Sequence, residues 1–175
     1  MPVLLQNRQR AVAVNHAWLG RAAEAVLSAV HAEAAELSLV LVSDRRMRVL
    51  NQRYRKKDRP TDVLAFPLQE YCSPAPAASV AAKSSWKGRV PARPGRVGAM
   101  ASRVPMLLGD VVISMPTAKR QAAALGHSLR EEVARLLVHG VLHLLGYDHE
   151  RSERDARLMA RKEQAVLRAV RHEGH

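Results

Sequence analysis

At 175 residues the chain has the length of one domain, enough to bury a core, and its 47% hydrophobic content is ordinary for a globular fold. Twenty-eight Lys and Arg against sixteen Asp and Glu leave a net charge of +12, which draws polyanions and makes nucleic acid the first partner to consider; with only 3% aromatics, contacts to phosphate are favoured over base stacking. No aliphatic run approaches the roughly 20 residues of a membrane helix, neither export nor membrane insertion is indicated, and a lone cysteine, Cys72, excludes an intrachain disulfide and a thiolate zinc site, so a reducing cytoplasm is expected.

In chain order, "VLLQN" and then "RAVAVN" predict a short paired edge. Trp18, Leu19, Ala22, Val26, Leu27 and Val30 recur at helical spacing and predict an amphipathic helix through residue 31. "LSLVLV" at 37–42 reads as a buried strand. Ser43 and Asp44 then supply the N-cap of a helix over "RRMRVLNQRY", with Met47, Leu50 and Tyr54 facing inward. "DVLAFPL" is a strand that Pro67 places at an edge or an end, and "GDVVISM" at 109–115 is another. "PTAKRQAAALG" is a helix with Pro116 near its start and Gly126 at its stop. Ser128 and Glu131 form a capping box for the next helix, and the last 25 residues predict one more, with Leu158, Met159, Val166 and Leu167 as its apolar face.

Between the two strands, residues 71–109 contain no acid, five prolines and six bases: Lys83, Lys87, Arg89, Arg93, Arg96 and Arg103. The expected organisation is one domain over 1–175 with a flexible basic insertion at about 72–106, either a plain solvated loop or an RNA-contacting arm.

The stretch "VHGVLHLLGYDH" at 138–149 carries the chemistry. His139 and His143, four apart on a helix, lie on one face and reach one cation. Gly146 reads as a left-handed cap that ends the helix, so that His149 swings back as the third ligand, leaving one position open as in a catalytic zinc site. Three imidazoles would accept nickel or copper at least as tightly as zinc. The other five histidines lack this pattern and read as solvated or cap-adjacent. Gly140 stands where a zinc protease of the "HExxH" type has its glutamate, which makes a metalloprotease the weaker reading. Either room for a bulky substrate group or close helix packing accounts for a glycine in a helix interior.

The string "HGVLHLLGYDH" closely resembles the signature of the YbeY family of bacterial endoribonucleases. "NQRYRKKDRPTDVLAFP" at 51–67, "GDVVIS" at 109–114 and "HSLREEVARLLVHG" resemble three further family blocks, in the same order. The resemblance spans 37–70 and 109–167. It implies an α+β fold: a single domain with a small mixed β-sheet, about five helices and a metzincin-like zinc-site helix. It implies one Zn2+ per chain on His139, His143 and His149, and an essential arginine at Arg55, which without the resemblance would read as an exposed neighbour of Arg53, Lys56 and Lys57. The implied activity is hydrolysis of single-stranded RNA in 16S ribosomal RNA 3′-end maturation and ribosome quality control. Small-subunit ribosomal RNA, the ribosome and ribosome-associated proteins are the implied partners, without a membrane. A peptidase on the same scaffold and a noncatalytic RNA-binding assembly factor are the alternatives. The basic segment is the departure from the family pattern. Asp148 reads as a turn former or as a group behind an imidazole, and Asp62 and Asp110 as turn formers or groups facing the site.

Overall fold

The alternating apolar residues of "AELSLVLV" build the centre of the sheet. In β2 (Ala35–Val42), Leu37, Leu39 and Leu41 are buried in one core, while Val42 is buried in a second core on the opposite face, with Val40 packed against it. β4 (Met106–Ser114) runs parallel to β2 and sends Leu108, Val111 and Ile113 to the first core and Val112 to the second. A register shift between Glu36 and Leu37 leaves Leu108 as an extra residue in β4. That bulge explains why Leu108 and Val111, three apart, share a face.

The computed structural model describes residues 3–68, 106–148 and 152–173. The expected basic insertion at about 72–106 lies outside them except for Met106, the first residue of β4, and His149 lies outside them as well. β1 (Val3–Asn7) pairs parallel with β2, and β3 (Val63–Pro67) pairs antiparallel with β4, giving the sheet order β1-β2-β4-β3. β3 is thus an edge strand, as Pro67 predicts. The expectation that "RAVAVN" pairs with "VLLQN" fails. The buried Gln9 side chain accepts from Val12 N at 2.9 Å and donates to Val12 O at 2.8 Å, bending this segment into a turn whose polar groups are satisfied locally.

The helices flank the sheet unequally. α1 (His16–Ala29), α4 (Leu129–Leu144) and α5 (Glu153–Glu173) contribute Leu19, Val26, Leu136, Val141, Met159 and Val166 to the first core. α3 (Met115–Leu125) packs beside α4, with Pro116 in its first turn and Gly126 capping its end in the left-handed conformation, as expected. Among the described helices, α2 (Asp44–Arg55) is the one on the other face, where Met47 joins Val42, Leu64 and Val112. The predicted N-cap holds, Ser43 Oγ accepting from Arg46 N. Three expectations change. α1 stops at Ala29, two residues early, where His31 takes a positive φ. Tyr54 is 56% exposed, and Asn51, hydrogen-bonded to Arg59 O at 2.7 Å, takes the buried place on α2. Leu158 is half exposed, so Met159 and Val166 form the seam of α5.

Among the described residues these are five helices and a small mixed sheet, a single α+β domain. Among the described residues, no helix is long and apolar enough to cross a membrane.

Candidate active site

The site begins with a well-terminated helix. Ser128 and Glu131 make the predicted reciprocal capping box at the start of α4. One turn on, Glu132 is completely buried and is held by His127 Nε2 at 2.5 Å and by the Arg135 guanidinium at 2.5 Å. Burial raises the Glu132 carboxyl, but hydrogen bonds from Arg135 and His127 and their charges outweigh it, holding the group below the ordinary glutamate range. The other end of α4 closes as a Schellman motif. Gly146 N donates to His143 O and Tyr147 N to Leu142 O, both at 3.0 Å, with Gly146 at φ +86°. The left-handed cap expected at Gly146 is therefore present.

Between these ends, α4 brings His139 and His143 together. Their rings meet edge to face with centroids 4.6 Å apart, and the two Nε2 atoms are 3.1 Å apart. Two imidazole nitrogens on one tetrahedral zinc, each about 2.0–2.1 Å from the ion, stand roughly 3.3–3.4 Å apart. The pair fits a shared metal with a shift of a few tenths of an ångström. His139 Nδ1 faces Glu163 Oε1 of α5 at 2.5 Å, both side chains being about a quarter exposed. Among the described residues alone there is no cluster of three metal-ligating side chains. The structure brings two of the three expected ligands together, and the third, His149, lies outside the described residues.

Gly140 faces the sheet. A β-carbon there would stand 2.7 Å from Val111 Cγ1 and 3.4 Å from Val63 Cγ2. Of the two readings of this glycine, close packing is correct and substrate room is not. A glutamate at this position would have to leave the helix through the β3–β4 surface, which accounts physically for its absence.

β3 is the strand both halves of the expected site share. Val63 packs under α4, and on the opposite face Phe66 meets Tyr54 edge to face at 4.9 Å, at the last turn of α2. Arg55 closes that turn and is exposed. The arginine that the resemblance singles out and the candidate ligands therefore flank the two faces of one edge strand. Asp62, just before β3, accepts from Val63 N at 2.9 Å, Thr61 Oγ1 at 3.0 Å and Gln121 Nε2 at 3.1 Å. Burial raises its carboxyl, yet those hydrogen bonds prevail and keep it below the usual aspartate range. Asp62 is thus the clasp that ties β3 to α3.

A protein-family profile described as Endoribonuclease YbeY matches residues 4–171. The chain belongs to the YbeY endoribonuclease family. It is a nuclease that acts on RNA. Curated relatives named Endoribonuclease YbeY include one from Pelotomaculum thermopropionicum, 45% identical and covering 95% of both chains, and one from Geobacter metallireducens, 37% identical over 99% of both. The relative of that name from Aquifex aeolicus is 43% identical over 83% of this chain and 77% of its own. A solution structure from Thermotoga maritima matches with a TM-score of 0.59 at 22% identity, covering 98% of this chain and 90% of that one, and it supports the fold.

Sequence reasoning missed Glu163 in this YbeY-family chain. It stands 24 positions from His139, on a helix rich in exposed charge, and its only sequence signal is its place between Met159 and Val166 on the apolar seam.

Proposed function

We propose that this YbeY-family nuclease is zinc-dependent and single-strand-specific, with one Zn2+ on His139, His143 and His149, and that it matures the 3′ end of 16S ribosomal RNA and serves ribosome quality control in the cytoplasm. The observation that carries the metal reading is the convergence of the His139 and His143 Nε2 atoms to 3.1 Å. The ribosome and its associated proteins are the proposed partners. The domain is proposed to run over 1–175 with the basic segment as an insertion.

Bound there, zinc supplies Lewis-acid polarisation of a phosphoryl oxygen and acidifies a water toward a pKa of about 7. The chain supplies the rest. α4 presents both imidazoles from one face, and its close seat on Val111 and Val63 fixes their height above the sheet. Arg55, at the β3 edge, clamps a phosphate through its planar guanidinium and stabilises charge developing on the phosphoryl oxygens. The +12 net charge raises the local concentration of RNA.

The deciding experiment uses untagged protein. The parent is expected to carry about one zinc per chain by elemental analysis and to cleave single-stranded RNA. His139→Ala should lose both while keeping its circular dichroism spectrum and RNA affinity. Unchanged cleavage by the variant overturns the site.

A further inference from the structure

α5 carries exposed Glu153, Arg154, Arg157, Arg161 and Lys162 along its outer side. Its inner seam is narrow. Met159 and Val166, four before and three after Glu163, are each 2% exposed within the core that α1 and α4 share. Glu163 is therefore a carboxylate set into the apolar seam of a helix whose outer side is charged, and its side chain is 22% exposed.

Its partner there is specific. Glu163 Oε1 stands 2.5 Å from His139 Nδ1. With the carboxylate oxygen accepting from Nδ1–H, Nε2 is the ring nitrogen left to meet a cation. That Nε2 is the atom 3.1 Å from His143 Nε2.

We infer that Glu163 is a positioning residue for the metal centre and that, through the His139–Glu163 contact, metal binding and docking of α5 are thermodynamically coupled. The inference rests on the reading of His139 and His143 as metal ligands. With α5 docked, His139 is held in the tautomer and ring orientation that a metal requires. With α5 undocked, the contact that orients Nδ1 is lost. A cation at Nε2 in turn polarises the ring, strengthens the Nδ1–H bond to the carboxylate and holds α5 down. Coupling of this kind is reciprocal: the factor by which docking tightens the metal is the factor by which the metal stabilises docking. Carboxylates behind ligating histidines typically alter metal affinity about 10–100-fold.

The test uses the full chain as parent, Glu163→Gln, Glu163→Leu and His139→Ala. Zinc affinity is measured by chelator competition, and amide hydrogen exchange over 153–173 is followed with and without zinc. Glu163→Leu should bind zinc about 10–100-fold more weakly than the parent. Glu163→Gln should fall in between, because its amide oxygen still accepts from Nδ1–H. Zinc should slow exchange in α5 of the parent and leave α5 of Glu163→Leu unchanged, with metal-free exchange of α1 and β2 alike in both. Zinc affinities of both Glu163 variants within about twofold of the parent overturn the inference, as does α5 exchange in the parent that ignores zinc. A loss of metal-free stability with zinc affinity intact overturns it too, since that is the mark of a merely structural contact. Equal zinc binding by the parent and His139→Ala overturns the metal reading itself, a result distinguishable from the others.

Discussion

At position 140 two local preferences oppose each other. Alanine in place of glycine favours a helix interior by about 1 kcal/mol. Its methyl would also press to 2.7 Å from Cγ1 of Val111, which is fully buried in β4. Overpacking of that kind costs about 1–3 kcal/mol, so Gly140→Ala is expected to be net destabilising by up to about 2 kcal/mol, seen as a lower urea midpoint at unchanged slope. A raised midpoint would mean that α4 has slack on the sheet. Arg55 is the opposite case, an exposed residue whose removal should cost under about 0.5 kcal/mol of stability. Arg55→Ala should nonetheless reduce turnover on single-stranded RNA by about 10²–10³, the scale expected when a charge-stabilising donor is removed. Retained turnover would remove the phosphate-clamp role.

The elements themselves were largely legible in the sequence because their signals are local. A short apolar run marked β2, the Ser128/Glu131 spacing marked the start of α4, and Gly126 and Gly146 marked two helix ends. Packing between elements was not legible. "RAVAVN" alternates like a strand, but the Gln9 side chain outcompetes pairing by satisfying Val12 at both its N–H and its carbonyl. Spacing placed His139 and His143 on one face of α4, whereas Glu163 reaches the site only through helix packing that periodicity does not encode. The choice between room and packing at Gly140 likewise depended on Val111 and Val63, strand residues far away in sequence. The α4 junction carries a pH signature of its own. Glu132 is held below its ordinary value of 4.5, so the stability it contributes is complete above that value and is lost as pH falls through the lower folded one. Glu132→Gln should cost about 2–3 kcal/mol at pH 7, less than a wholly buried pair because Arg135 keeps 38% exposure. In melting curves from pH 7 down to 3, the gap between parent and variant should close below about pH 4.5. A gap independent of pH would assign the loss to packing instead of charge.

Over the whole molecule, half of the net charge belongs to the segment between β3 and β4: Lys83, Lys87, Arg89, Arg93, Arg96 and Arg103 stand there with no acid among them. Removing residues 74–105 is expected to leave the zinc content unchanged. Its effect should fall on RNA affinity at low salt, with the dependence of log affinity on log salt flattened by about 0.7 for each phosphate that the shortened chain no longer neutralises. An unaltered slope would make the segment a bystander in RNA binding.

The same variant probes how the sheet is assembled. Pro67 pairs with Gly109, and Leu68 N still donates to Leu108 O at 3.4 Å, so the chain leaves the sheet and re-enters it at neighbouring points. Docking the edge strand therefore requires closing a loop of about forty residues, and shortening it to under ten lowers the closure entropy by about 1.5 kcal/mol. If β3 docks in the folding transition state, the shortened chain should refold roughly tenfold faster with little change in its unfolding rate. The strand that seats the histidine helix would then be the step that sets the pace of folding.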